Sequence, residues 1–221
     1  MKRTHKWAWT ILAVASVGML AASLLKLIPS SVTEALGFVS GAVCVLFVVE
    51  ENIWNFPIGI ANNIFFIILF LTARLYGDMT LQFVYIALGI MGWYQWLHGG
   101  ANRSALKVNH TNWREVTSLA LIGAFATAGL REYFIRINDA APLLDAVTTV
   151  LSLIAQYLLN YKRIENWYVW ITADILYVWL YIQKDLHLTA ALYAIFIGMC
   201  VTGLVTWSRT LREEKRAGVA P

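Results

Sequence analysis

Residues 165–181 read ENWYVWITADILYVWLY, an apolar run crowded with Trp and Tyr and carrying one carboxylate, Asp174, near its middle. An ionised Asp at the centre of a bilayer costs roughly 2.5 to 3.5 kcal/mol even on lenient insertion scales. A helix that keeps such a residue turns it towards a polar interior and away from lipid. The stretch therefore reads as a membrane-crossing helix with a wet side, and its neighbours must supply the rest of that interior.

The rest of the chain has the same character. It is 221 residues long, 59% hydrophobic and only 14% charged, with a mean hydropathy of +0.62. A soluble domain carries about a quarter charged residues. Long apolar blocks, rather than short alternating segments, exclude a β-barrel and predict an all-α integral membrane protein. Eight blocks are long enough to span: 7–28, 33–50, 57–73, 79–98, 115–136, 143–161, 166–183 and 188–208. The polar stretch HGGANRSALKVNHTNWRE (98–115) reads as a flexible linker. A secretory signal is the rival reading of MKRTHKWAWTILAVASVGMLAAS at the start of the chain.

Orientation follows from Lys and Arg. With the N-terminus inside and eight crossings, twelve fall inside: Lys2, Arg3, Lys6, Arg103, Lys107, Arg114, Lys162, Arg163, Arg209, Arg212, Lys215 and Arg216. Five fall outside, at Lys26, Arg74, Arg131, Arg136 and Lys184. Both termini are expected in the cytoplasm, and this bias accounts for the basic pI of about 9.1 without nucleic acid. Cys44 and Cys200 lie inside apolar blocks with no metal spacing. His5, His98, His110 and His187 sit at block ends or in loops, which argues against an embedded hydrolase or zinc site. No cofactor or metal is expected.

Sliding 35–98 over 146–209, an offset of 111, gives identities at twelve of 64 positions. Asn55/Asn166, Gly92/Gly203 and Trp96/Trp207 are the informative ones. Blocks two to four and six to eight then form two triplets, with block five between them. One extra crossing leaves both triplets pointing the same way, a parallel repeat. The expected architecture is 3+1+3 plus one extra N-terminal helix, with a substrate site between the triplets near mid-membrane. The segments are 1–31 (basic end and extra helix), 32–98 (first repeat), 99–140 (linker and linking helix), 141–209 (second repeat) and 210–221 (charged cytoplasmic tail).

Helical spacing sorts the polar residues into stripes. Asn55, Gly59, Asn62 and Asn63 share a side of block three. Gln82, Tyr85, Gly89, Gly92, Trp93 and Trp96 fall together in block four. Gln156 pairs with Asn160 in block six, and Trp167, Trp170, Asp174, Tyr177 and Tyr181 align in block seven. Amides can also serve as glue between helices, and Trp and Tyr as interfacial anchors. Trp7, Trp9, Trp113 and Trp207 fit the anchor role; Gly89 and Gly92 fit close packing; Pro57 fits helix initiation. Stripes on equivalent elements of both triplets favour a lined cavity. Amides suit hydroxyls and carboxamides, aromatic faces suit flat or cationic rings, and no mid-span Lys or Arg awaits a phosphate. Asp174 could meet positive charge, accept from a hydroxyl, or sit protonated in a helix contact.

Three stretches, WNFPIGIANNIFF (54–66), ARLYGDMTLQFVYIALGIMGWYQW (73–96) and NWYVWITADILYVWLY (166–181), resemble the PnuC family of bacterial nicotinamide riboside transporters. With the repeat, the likeness covers most of 35–208. The resemblance implies a SWEET-like fold, a homotrimer in the bacterial inner membrane, and facilitated diffusion of nicotinamide riboside by alternating access without ion coupling. It implies Trp54, Asn55, Asn63, Gln82, Trp93, Trp170, Asp174 and Tyr177 near the substrate; Gln156 and Asn160 join them on the helical-face argument. A thiamine or riboflavin carrier, a membrane enzyme and a structural membrane subunit are the competing readings.

Overall fold

The computed structural model describes residues 9–10, 13–14, 17–18, 21, 23–25, 32–72, 76–183 and 187–217. Among them run seven long helices: α1 (Val32–Val49), α2 (Asn55–Thr72), α3 (Tyr76–His98), α4 (Trp113–Arg136), α5 (Pro142–Asn160), α6 (Asn166–Gln183) and α7 (His187–Arg216). They coincide with blocks two to eight to within a few residues at most ends. The exception is the C-terminal end of α7, which runs on through the charged tail to Arg216. The first block, 7–28, lies largely outside the described residues. Within it, the Trp9 indole donates to Glu50 Oε1 at 2.8 Å and packs on Phe47.

Local chemistry starts and stops the helices. Asn112 caps α4, its side chain accepting from the Glu115 N–H at 2.8 Å. Glu115 in the first turn and Arg136 in the last complement the helix dipole. Pro142 opens α5, where its missing N–H is no loss. Among the described residues, Trp113–Arg136, Pro142–Asn160 and Tyr193–Arg216 are long and apolar enough to cross a bilayer, and Val39–Val49 and Asn55–Ile68 are shorter apolar helices. In α6 the Trp, Tyr, Asn and Asp side chains dilute the same character.

The chain divides into two compact units, one ending at Tyr94 and one starting at Gln95. Within the first, α1 packs on α2; within the second, α4, α5, α6 and α7 pack in sequence order. α4 is the barest of these: Gly123 is its single buried residue.

Two turns repeat at the offset of 111. At the end of α1, Glu51 N donates to Val48 O and Asn52 N to Phe47 O; at the end of α5, Lys162 N donates to Leu159 O and Arg163 N to Leu158 O. Both are helix stops of the Schellman type, with the left-handed residue at φ 52° (Glu51) and 48° (Lys162). The next helix then begins alike. Asn55 N donates to Asn52 O and Phe56 N to Ile53 O, while Asn166 N donates to Arg163 O and Trp167 N to Ile164 O. Even the side chains agree: Asn55 Nδ2 donates to Asn52 O at 2.8 Å and Asn166 Nδ2 to Arg163 O at 2.6 Å.

The linker departs from expectation. Instead of a flexible tether, 104–112 is laid down as an ordered strap. Leu106 N donates to Trp96 O, Asn109 N to Lys162 O, and Ile164 N to Asn109 O, each at 3.0 Å. Val108, within it, is fully buried. Backbone pairing with a distant turn holds the segment, and no periodicity in the sequence could announce that.

Candidate functional site

The second unit gathers a polar and aromatic layer around the start of α6. Trp96, at the end of α3, donates its indole N–H to Leu159 O at 3.0 Å, sharing with the Lys162 N–H a carbonyl in the last turn of α5. The Lys162 ammonium lies 4.5 Å from the centroid of the same indole. Trp207 of α7 packs on Trp96 (centroids 6.2 Å) and edge-on against Trp167 of α6 (5.3 Å, 81°). Gly203 makes room for this, since a Cβ there would lie 2.4 Å from the Trp167 ring. Trp207 is therefore a core residue with no exposed surface, which corrects its reading as an interfacial anchor. Trp113, largely exposed at the start of α4, suits that role.

The amides of α5 bond to one another: Gln156 Nε2 donates to Asn160 Oδ1 at 3.0 Å, and Asn160 is fully buried. On α6, Trp170 is half-buried and Asp174 is buried, its Oδ2 accepting from the Cys200 thiol of α7 at 3.7 Å. The opening puzzle has a local answer: the carboxyl faces a neighbouring helix and not lipid. One turn on, the Tyr177 hydroxyl meets Thr148 and Ser152 of α5. Its ring stacks with Tyr181 and lies tilted against Tyr193, centroids 6.2 and 4.7 Å apart.

In the first unit, Asn55 is buried at the first position of α2, held by the turn. Asn63 and Gln82 are half-buried on α2 and α3. Asn62, on the same stripe, accepts from Ser40 Oγ at 2.8 Å and so ties α2 to α1. Trp54 is 61% exposed and Trp93 37% exposed, so neither ring is enclosed within its own unit.

Four residues stand out that are absent from the expected substrate contacts. Asn166 and Trp167 are fully buried, and Asn166 Oδ1 and Trp167 Nε1 have no hydrogen-bond partner among the described residues. The Asn55/Asn166 identity was the signal for the first of them. Arg163 counts in the sequence only as a loop charge, and Glu165 only as the first residue of the stretch 165–181. Arg163 donates to Asn109 Oδ1 and to His110 O, the latter at 2.8 Å, and its Nη2 lies 2.9 Å from Glu115 Oε2, an ion pair without hydrogen-bond alignment. Glu165 accepts from His110 Nδ1 (2.9 Å) and from Thr111 N and Oγ1 (2.9 and 2.7 Å). Burial alone would push the Glu165 carboxyl up, but these bonds outweigh it and hold the group below the ordinary carboxylate value.

Known proteins carry the same chain pattern. The family model described as nicotinamide mononucleotide transporter matches residues 31–209. The chain belongs to that family. Membership places it among membrane transporters and not among membrane enzymes. Similar relatives include the nicotinamide riboside transporter PnuC of Escherichia coli (strain K12), 26% identical over 82% of this chain and 87% of that one. The riboflavin/roseoflavin transporter RibM of Streptomyces davaonensis is 24% identical over 83% of this chain and 88% of its own. A crystal structure of the vitamin B3 transporter PnuC shares the fold, with a TM-score of 0.66 over 92% of both chains at 24% identity.

Proposed function

We propose that this protein takes up nicotinamide riboside across the bacterial inner membrane, by facilitated diffusion with alternating access and no ion coupling. The family match over 31–209, beside relatives named for that riboside, carries the reading. The chemistry of the helices agrees. A pyridinium ring suits Trp and Tyr faces, at roughly 2 kcal/mol for a desolvated cation–π contact. Ribose hydroxyls and a carboxamide suit Asn and Gln. Between Asn55 and His98 the only Lys or Arg is Arg74, and between Pro142 and Gln183 only Lys162 and Arg163, in a turn. That scarcity favours the riboside over its phosphorylated form, because a phosphate would find few cations along those two stretches.

The proposed substrate contacts are Trp54, Asn55, Asn63, Gln82, Trp93, Gln156, Asn160, Trp170, Asp174 and Tyr177. The proposed architecture is a parallel 3+1+3 repeat of SWEET type with an extra N-terminal helix, assembled as a homotrimer with both termini cytoplasmic. The matching turns 111 residues apart support the repeat. Counterflow of labelled nicotinamide riboside in proteoliposomes tests the activity. Exchange that persists without a pH gradient is expected; strict dependence on the gradient defeats uncoupled transport. The RibM likeness favours riboflavin as the second reading, with thiamine behind it. Melting shifts measured with the riboside, its mononucleotide, riboflavin and thiamine separate them, the largest shift being expected from the riboside.

A further inference from the structure

The two matching turns are braced by different means. In the first, Asn52 Oδ1 accepts from Trp54 N at 3.1 Å, so the turn closes on its own side chain. The equivalent residue 111 positions on is Arg163, which has no acceptor and cannot make that bond. Its turn is held from outside. The guanidinium reaches Asn109 Oδ1, the His110 carbonyl and the Glu115 carboxylate. The strap also pairs its backbone at Asn109 with Lys162 and Ile164, and Asn109 Nδ2 donates to Tyr161 O at 3.2 Å. The carbonyl of Arg163 in turn receives Asn166 Nδ2, which leaves Asn166 Oδ1 buried and unpaired at the start of α6. Leaving a buried acceptor without a donor is costly, so the turn that sets it must be held firmly.

We infer that Arg163 is a positioning residue for transport: by clamping the 161–165 turn to the strap, it fixes the start of α6, the helix that carries the proposed substrate contacts Trp170, Asp174 and Tyr177. The inference rests on the transporter reading above and adds the brace to it. Lys cannot replace Arg here, because one ammonium does not span three acceptors set in different directions. Asn can, because it restores the self-closing bond that the other turn uses, with the N–H of Glu165 in place of that of Trp54.

The test compares wild type, Arg163→Ala and Arg163→Asn as full-length protein in detergent. It reads the Kd for nicotinamide riboside and hydrogen exchange of 105–112 and 161–168. Arg163→Ala is expected to weaken binding five-fold or more and raise exchange in both segments. Arg163→Asn is expected to return the Kd to within two- to three-fold of wild type and to restore protection of 161–168 while 105–112 stays loose. Wild-type affinity in Arg163→Ala overturns the inference, as does an Arg163→Asn protein with a protected turn and weak binding. Should wild type bind no riboside, the transporter reading fails by itself; the brace then stands or falls on the exchange of 161–168 in the two variants. If Arg163→Ala does not fold, Asn109→Ala, which removes the Oδ1 acceptor of Arg163 and the Nδ2 donor to Tyr161 O while keeping the strap backbone, takes its place with the same expectations at smaller amplitude.

Discussion

The turn at 50–56 and the turn at 161–167 have one backbone and two chemistries. Both end a helix with a left-handed residue and start the next with an Asn whose amide nitrogen is tied to the carbonyl three residues back. Around that shared frame the side chains diverge: Glu51 against Lys162, Asn52 against Arg163, Trp54 against Glu165, Phe56 against Trp167. The first turn closes on itself and exposes Trp54. The second is roofed by the strap, and Lys162, Asn166 and Trp167 are buried. Backbone hydrogen bonds thus specify the frame, while the partners of its side chains decide whether it stands alone.

Removing the roof's main ring should have the largest effect. Trp96 joins a hydrogen bond to Leu159, a cation–π contact with Lys162 and packing on Trp207. Trp96→Ala is expected to lower unfolding free energy by about 3 to 5 kcal/mol, as for other buried Trp truncations. Trp113→Ala, at an exposed ring, should stay within about 0.5 kcal/mol. Denaturant unfolding in one detergent compares them, and equal losses would show that the layer around Trp96 holds nothing special.

Overpacking comes next. Trp167 fills the space where Phe56 stands in the other turn, and α7 yields to it at Gly203. Gly203→Ala forces a methyl into a wide ring and should cost about 1 to 3 kcal/mol. Gly198 has open space around its Cα, so Gly198→Ala should be neutral or stabilising by up to about 1 kcal/mol of helix propensity. A neutral Gly203→Ala would mean that Trp167 is free to shift.

Much of this was legible in the chain. The helices follow the apolar blocks because a bilayer demands long, internally bonded segments, a demand that composition alone expresses. The offset of 111 was visible through three polar and aromatic identities, and the Asn55/Asn166 pair lies in the repeated turns. The strap was not legible. Gly99 and Gly100 and a run of polar residues look like a tether, while the order of 104–112 comes from partners about fifty residues away. Trp207 misled for a related reason: a Trp near the end of a span looks interfacial until its neighbours are known. Lys162 and Arg163 in the α5–α6 turn bear on topology alone when read from the sequence, so the ties of that turn to the strap stayed hidden.

The left-handed positions offer a subtler contrast. A non-glycine residue there costs roughly 1 to 2 kcal/mol. Glu51→Gly should recover much of that. Lys162→Gly recovers the same strain but loses the ammonium over Trp96, worth about 0.5 to 2 kcal/mol. Melting temperatures should therefore rise more for Glu51→Gly, and an equal rise would show that the Lys162 side chain contributes no more than that of Glu51.

The smallest effect separates Glu165 from its counterpart Trp54. The pKa of the Glu165 carboxyl is held below its ordinary value by His110 and Thr111. A group with a depressed folded pKa stabilises the fold above its unfolded pKa and loses that contribution as pH falls through the folded one. Stability should therefore decline from the ordinary carboxylate range downwards, partly through this residue. Because the side chain is about a third exposed, the contribution is a few tenths of a kcal/mol to about 1 kcal/mol. Glu165→Gln should start slightly less stable at neutral pH and fall less steeply on the acid side, in melts taken at stepped pH. Trp54→Gln should leave the acid limb unchanged, since no carboxyl stands there. Parallel acid limbs for Glu165→Gln and wild type would show that the strap's outer ties do not favour the ionised carboxylate, and the two turns would then differ in their buried partners alone.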